Sequence, residues 1–214
     1  MPRPIPATPE TAKKPRSILP LVAILLVCLA PVVLALLAYY TPALGLRPDH
    51  RTNYGQLVQP QRPLPAEETL GLATLDGKPF DLQSLKGKWM LLSADSGDCS
   101  ESCVKKLFIL RNSHASQGKN VERLTRVWFV TDDKPIPQNV LDGYKGTIIV
   151  RADAARLASF LTPDAPAAEA ADALKAPMWI IDPLGNLMLE FPPDADPVRV
   201  RKDISKLIYN SQIG

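Results

Sequence analysis

The longest apolar segment of this chain runs without a charged residue from Ile18 to Tyr40. A helix rises about 1.5 Å per residue, so a segment of this length spans the hydrocarbon core of a bilayer. Four basic residues and one acidic residue precede it, and positive charge holds that end of a membrane helix in the cytoplasm. The pattern predicts a cytoplasmic basic tail (residues 1–16), a transmembrane anchor (residues 17–40) and an exported remainder.

A cleavable signal peptide is the alternative for this segment, because Ala35, Ala38 and Ala43 offer small residues near its end. The apolar region of such a signal is normally about 7–15 residues long, which is shorter than the region seen here. The pattern therefore favours an uncleaved, single-pass anchor.

Residues 41–65 contain five prolines and little periodicity, which predicts a semi-extended tether. The domain proper is predicted over residues 66–214. Short apolar runs predict strands at Leu72–Leu75 with a return at Pro79–Leu82, then at Trp89–Ser93, Arg126–Thr131, Thr147–Val150, Met178–Asp182 and Leu187–Phe191. Helices are predicted from Cys99 to about Gly118 and at Gln138–Tyr144, Ala154–Leu161 and Asp196–Tyr209, with Pro163–Leu174 either a short helix or a flexible insertion.

The charge balance of the chain indicates which classes of partner to expect. The basic tail holds four of the 25 Lys and Arg residues and one of the 22 Asp and Glu residues, which leaves 21 of each from Thr41 onward. These charges are interspersed along the chain rather than clustered. No basic patch indicates nucleic acid as a partner.

Two cysteines, Cys99 and Cys103, lie where a predicted strand gives way to a helix. Free N–H groups in the first helical turn favour thiolate over thiol, which raises reactivity and metal affinity. Side chains four residues apart share one helical face, so the pair can bind a metal or form a disulfide. In an oxidising compartment a disulfide is expected. A purely structural bridge is the alternative, although so short a loop removes little entropy from the unfolded chain.

Charged residues beside the cysteines act in opposite directions. Asp95 and Asp98 disfavour a thiolate, whereas Lys105 and Lys106 favour one, and the sequence leaves the balance open. Asp98 is expected to be the helix N-cap, and Asp132–Asp133 to cap the end of a strand.

The order of predicted elements is that of a thioredoxin-like α/β fold with an N-terminal β-hairpin extension. Three sequence segments are further evidence: DGKPFDLQSLKGKW before the cysteine strand, VWFVTDD at the next strand, and MWIIDPLGNLMLEF at the late hairpin. Together with the C-x3-C spacing of Cys99 and Cys103, these segments resemble the Sco/SenC family over about residues 66–210.

The resemblance implies an assembly factor of cytochrome c oxidase, anchored in the inner (cytoplasmic) membrane with its domain in the periplasm. Its partners would be a respiratory oxidase subunit or other assembly factors. In that family two cysteines and a histidine bind copper, but the corresponding place here, Leu174–Ala176, has no histidine. The two histidines are His50, in the tether, and His114, which lies about 16 Å along a continuous helix from Cys103.

Without the histidine, Cu(II) binding is expected to weaken most, whereas two thiolates still suit Cu(I). Met178 is the candidate thioether third ligand, and core packing is its alternative role. It follows Pro177, at the place where thioredoxin-like proteins usually have a cis-proline facing the cysteines.

The resemblance and the residues lead to three candidate functions. The first is a thiol-disulfide oxidoreductase in which Cys99 attacks and Cys103 resolves. The second is a Cu(I) carrier that uses both thiolates, and the third is a non-catalytic scaffold that tethers assembly partners. A peroxidase is disfavoured, because the loop SADSGDC lacks a Thr/Pro-rich run before its cysteine.

Overall fold

A computed structural model of the chain describes residues 17–41 and 53–213. The chain divides into two compact units, Met1–Arg51 and Thr52–Gly214. The predicted basic tail, residues 42–52 of the predicted tether and His50 lie outside the described residues.

The first unit contains one long helix, α1 (Leu19–Tyr40), with Pro31 inside it. Its apolar side chains are exposed on nearly all sides, and Cys28 is among them. Within the described part of the chain, α1 is the one helix long and apolar enough to cross a membrane. It is therefore a candidate membrane anchor, as the sequence predicts.

The second unit is built on a mixed sheet covered by helices. The strands are β1 (Gln56–Pro63), β2 (Ala73–Thr74), β3 (Trp89–Asp95), β4 (Leu124–Val130), β5 (Ile148–Arg151), β6 (Met178–Ile181) and β7 (Asn186–Phe191). The helices are α2 (Glu67–Leu70), α3 (Glu101–Ala115), α4 (Gln138–Gly143), α5 (Ala154–Leu161), α6 (Ala170–Lys175) and α7 (Pro197–Asn210). The strands lie in the order β1-β7-β6-β3-β4-β5-β2.

Strand β3 occupies the centre of the sheet, parallel to β4 and antiparallel to β6. All its residues are buried, because helices cover both faces of the sheet. Met90 and Leu92 pack with residues of α5 and α6, whereas Trp89 and Leu91 pack with residues of α3 and α7. This is the thioredoxin-like α/β fold that the sequence predicts, with β6 and β7 as its late hairpin.

The last part of the predicted tether belongs to the sheet. Strand β1 pairs antiparallel with β7, so the prediction of a tether up to residue 65 is wrong for residues 56–63. Pro60 and Pro63 conceal this strand in the sequence, since proline cannot donate a ladder hydrogen bond and is confined to sheet edges. The domain therefore begins before the predicted start at Ala66.

The predicted N-terminal hairpin is present but short. One bridge joins Ala73 to Pro79 across the Asp76–Gly77 turn, and the N–H of Phe80 donates to the carbonyl of Leu72 at 2.9 Å. Leu82–Leu85, which follows, is a 3₁₀ turn. Strand β2 also pairs antiparallel with β5, so this extension supplies an edge strand to the sheet.

Helix α3 differs from its prediction in its start. It begins at Glu101 rather than at Cys99. Leu107 and Leu110 are buried against the sheet side of the domain core, whereas Val104 and Phe108 of the same helix are 37% and 44% exposed. The other predicted helices and strands after residue 89 are confirmed to within a few residues, and α6 settles the segment predicted as a helix or an insertion.

Asp203 of α7 binds two of the first described residues of the domain through hydrogen bonds. Its Oδ2 atom accepts hydrogen bonds from the backbone N–H of Tyr54 at 2.6 Å and of Gly55 at 2.9 Å. The Tyr54 ring lies 4.1 Å from the guanidinium carbon of Arg199, and its hydroxyl accepts a hydrogen bond from the N–H of Asp196. Tyr54 and Gly55, among the first described residues of the domain, are therefore bound to α7.

Replacing Asp203 with alanine leaves two backbone N–H groups without their carboxylate acceptor. We expect the free energy of unfolding to fall by about 2–4 kcal/mol, measured by urea unfolding of the full chain in detergent with tryptophan fluorescence as the signal. Lys202→Ala is the matched control, because Lys202 is the adjacent exposed residue of the same helix. Equal losses in the two variants would contradict the role of Asp203.

Candidate functional site

Cys99 and Cys103 form a disulfide beyond the carboxyl end of β3, with their Cα atoms 5.1 Å apart. Both residues are buried, at 7% and 1% exposure respectively. The third cysteine, Cys28 in α1, is free. The structure thus brings together the two residues that the sequence predicts as a redox pair.

The sequence predicts that the two cysteines share one helical face, but only Cys103 lies within the helix. Because α3 begins at Glu101, Cys103 lies in its first turn and Cys99 lies two residues before it. Cys99 has a left-handed backbone conformation, with φ at +43°, which costs a residue with a side chain about 1–2 kcal/mol. The disulfide therefore joins a tight turn to the helix that follows it.

Asp132 fastens this turn from the neighbouring strand. The turn is closed by the N–H of Cys99, which donates to the carbonyl of Ser96 at 3.1 Å. Asp132 accepts hydrogen bonds from the N–H of Gly97 at 2.8 Å and from the hydroxyl of Ser96 at 2.5 Å. The sequence predicts only a strand cap here; the signal it offers is that Asp132 follows β4, whose carboxyl end lies beside that of β3.

The segment after β4 passes so close to the turn that only glycine fits at position 97. A Cβ atom on Gly97 would clash with the carbonyl oxygen of Lys134. The Nζ atom of Lys134 lies 2.7 Å from Oδ2 of Asp98, and Oδ1 of Asp98 lies 2.6 Å from the Ser96 hydroxyl, whose single proton is shared between Asp98 and Asp132. Asp98 is therefore not the helix N-cap; Ser100 holds that position and makes no side-chain cap hydrogen bond.

These contacts favour the ionised forms of both aspartates. Hydrogen bonds from Lys134 and then Ser96 lower the pKa of Asp98. Partial burial raises the pKa of Asp132, but hydrogen bonds from Ser96 and from the N–H groups of Gly97 and Lys134 outweigh it, and the pKa is lowered. The stabilisation is fully present above the usual carboxyl pKa of about 4 and is lost as the pH falls through the lowered values.

A buried ammonium group ties the same region to the rest of the domain. The Nζ atom of Lys106, one turn after Cys103, lies 2.9 Å from Oδ2 of Asp95. It also donates to the carbonyl of Ala94 at 2.7 Å and to the carbonyl of Lys175. Burial lowers the pKa of Lys106, and Asp95 opposes this effect. Lys106 thus connects β3, α3 and the segment before β6.

Met178 belongs to the same buried cluster as the two cysteines, whereas Pro177 differs from its prediction. Met178 is 2% exposed. It also lines a groove of about 230 Å³ along α3. Among the described residues the cis peptide is Gln59–Pro60, so the expected cis-proline at 177 is wrong. Ala176 continues the helical backbone of α6 up to this trans bond.

Cu(I) is the copper ion whose ligand preferences match the soft donors of this region. The thiolates of Cys99 and Cys103, with the thioether of Met178, are the soft donors that suit Cu(I). The described residues contain no group of three or more His, Cys, Asp and Glu placed to bind a metal. His114 lies in the last turn of α3, and burial lowers its pKa. The expected lack of a histidine ligand stays a prediction.

A family model described as the transmembrane-like, thioredoxin-like, C-terminal domain matches residues 89–211. The chain belongs to this family. The matched region includes β3, the disulfide and α7. No curated protein sequence matches the chain.

Solved structures of other proteins share the fold of this transmembrane-like, thioredoxin-like domain. Apo Sco1 from Thermus thermophilus has a TM-score of 0.50 at 18% identity, over 74% of this chain and 99% of its own. A thiol:disulfide interchange protein from Bacteroides sp. has 0.50 at 15%, over 71% and 91%. Yeast Sco1 with copper bound has 0.49 at 16%, over 72% and 96%. At these identities the likeness is one of fold alone.

The role of Asp132 can be measured against its neighbour. We expect Asp132→Asn to lower the free energy of unfolding of the oxidised protein by about 1–2 kcal/mol at pH 7, because it removes a charged acceptor from the turn. Asp133→Asn is the matched control, since Asp133 is exposed and outside this network. Urea unfolding at pH 7 and pH 3 should show the difference from wild type shrinking in acid, and a difference independent of pH would contradict the assignment.

Proposed function

We propose that this protein is a membrane-anchored thiol-disulfide oxidoreductase that assists assembly of the copper site of cytochrome c oxidase, with its domain in the periplasm. The observation that carries the proposal is the Cys99–Cys103 disulfide, placed between the central strand and the first turn of α3. The candidate anchor α1 supports it, as does the fold shared with Sco1 from Thermus thermophilus and with a thiol:disulfide interchange protein.

The positions of the two cysteines give them different roles. Cys99 is the attacking residue, because it is the more exposed of the two and lies ahead of α3. The first-turn N–H groups of α3, which the Ser100 side chain does not cap, stabilise a thiolate there. Cys103 is almost fully buried, so it acts only on a bond already formed to Cys99.

The exchange proceeds in two balanced steps. The Cys99 thiolate attacks a partner disulfide, so a Cys99–partner S–S bond forms, the partner S–S bond breaks and one partner thiolate leaves. The Cys103 thiolate then attacks Cys99 Sγ, which closes the internal disulfide and releases the second partner thiolate. Two electrons pass to the partner, whose thiolates take up protons from solvent. A reducing dithiol protein must return two electrons to Cys99 and Cys103.

Single cysteine variants test this order of events in cells. We expect Cys103→Ser to accumulate a mixed disulfide with the copper-site subunit, seen after acid quenching on non-reducing gels and by mass spectrometry, because the resolving thiol is gone. Cys99→Ser should form none and should leave that subunit oxidised with less assembled oxidase. Cys28→Ser is the matched control and should behave as wild type.

Unchanged oxidase levels and an unchanged thiol state of the copper-site subunit in Cys99→Ser would overturn the proposal. That result would support the third candidate function, a non-catalytic scaffold in which the cysteines contribute only to stability.

A Cu(I) carrier is the second candidate, and the burial of Met178 with the cysteines is the observation that favours it. Anaerobic Cu(I) titration of the reduced full chain in detergent, against a competing chelator, should show one-to-one binding that either cysteine variant abolishes. Met178→Leu should weaken binding about tenfold by removing one soft ligand. Met188→Leu, at the half-buried methionine of β7, is the matched control. Absence of tight binding in the wild type would exclude the carrier.

A further inference from the structure

Helix α7 presents an exposed face on which every charged residue is basic. Arg199, Arg201, Lys202 and Lys206 are all exposed. The one acidic residue within the helix, Asp203, is buried and accepts hydrogen bonds from backbone N–H groups. The charge of this face is therefore not balanced within the helix.

Among the described residues, Arg201, Lys202 and Lys206 of this face form no ion pair. Six of the nine lysines elsewhere in the domain do form ion pairs, namely Lys78, Lys105, Lys106, Lys134, Lys145 and Lys175. The chain after the anchor segment carries equal numbers of acidic and basic residues, so an overall excess of positive charge does not explain the concentration on α7.

Two exposed side chains add apolar surface to the same face. Val198 is 49% exposed and Tyr209 is 78% exposed. Since a helix turns about 100° per residue, Val198, Lys202 and Tyr209 lie within about 40° of one another around the axis. Cations with an exposed aliphatic and an aromatic residue are typical of a helix that rests on a membrane surface, where tyrosine lies at headgroup level.

The first described residues of the domain also contact this helix. Tyr54 and Gly55, which lead into β1, are bound by Asp203 and Arg199 of α7. A groove of about 220 Å³ lined by Leu57, Leu207 and Lys206 adjoins the same point. The N-terminal segment of the domain is thus bound to the basic helix.

We propose that the basic face of α7, defined as Val198, Arg201, Lys202, Lys206 and Tyr209, docks on anionic lipid headgroups. The three cations pair with headgroup phosphates, and Tyr209 with Val198 contacts the boundary between headgroups and acyl chains. None of these residues belongs to the buried cluster that contains Cys99 and Cys103, so docking and thiol exchange can be lost independently.

The test uses the full chain in lipid nanodiscs that contain dansyl-labelled headgroups. All three tryptophans, Trp89, Trp128 and Trp179, lie in the domain, so energy transfer from them to dansyl reports how close the domain is to the lipid. We expect more transfer in discs with phosphatidylglycerol than in discs of phosphatidylcholine alone. High salt should remove the difference, because it screens exposed charges.

Charge variants identify the surface responsible. Each cation contributes about fivefold at an anionic surface, so Arg201→Gln/Lys202→Gln/Lys206→Gln should lower the ratio of docked to free domain about one hundredfold. The matched control, Lys78→Gln/Lys119→Gln/Lys145→Gln, removes three exposed cations elsewhere and should keep the wild-type response. Equal transfer in the two kinds of disc, or equal responses of the two triple variants, would overturn the proposal.

Amine-reactive labelling distinguishes lipid from an acidic protein as the occupant. Lys202 and Lys206 should be protected in anionic discs while Lys78, in the same molecule, is not. Protection that appears only in native membranes containing other proteins, and not in the purified discs, would assign the face to a protein partner and overturn the lipid proposal.

Discussion

The cysteine site depends on the buried ammonium group of Lys106. It forms an ion pair with the Asp95 carboxylate at 2.9 Å and donates hydrogen bonds to the carbonyls of Ala94 and Lys175. These acceptors belong to the end of β3 and to the segment before β6, and Lys106 itself belongs to α3. A buried charge that loses one of its partners destabilises a protein by about 3–5 kcal/mol. The end of β3, helix α3 and the segment before β6 are therefore held together by a contact whose loss destabilises the domain.

The disulfide turn is fastened by contacts that do not require the S–S bond. The hydrogen bond from Cys99 to Ser96 and those from Ser96 and Gly97 to Asp132 involve no sulfur atom. Breaking the disulfide leaves these contacts available, so the two thiols start close together when the bond has to form again. Orientation supplied in advance is an effective way to accelerate such a step. The strained backbone of Cys99 is thus supported by its surroundings rather than by the bridge alone.

Buried strands could be predicted from the sequence, because β3, β4 and β6 contain the apolar runs Trp89–Leu92, Val127–Val130 and Met178–Ile181. Strand β1 was concealed because its prolines and exposed side chains resemble a linker. The contact of Asp132 with Ser96 and Gly97 needs the order of strands in the sheet, which local periodicity does not contain. The same limit applies to the cations of α7, whose lack of partners depends on what the fold brings near them. The sequence thus predicts the order of strands and helices and the cysteine pair. The contacts around that pair depend on tertiary packing.

The two outer strands of the sheet are poor templates for a further strand. Strand β2 has only two residues, and β1 carries Pro60 and Pro63, which have no N–H group to offer. Open sheet edges invite strand exchange and aggregation between copies of a protein. The prolines that make β1 hard to recognise in the sequence therefore protect neighbouring copies from polymerising through their sheets.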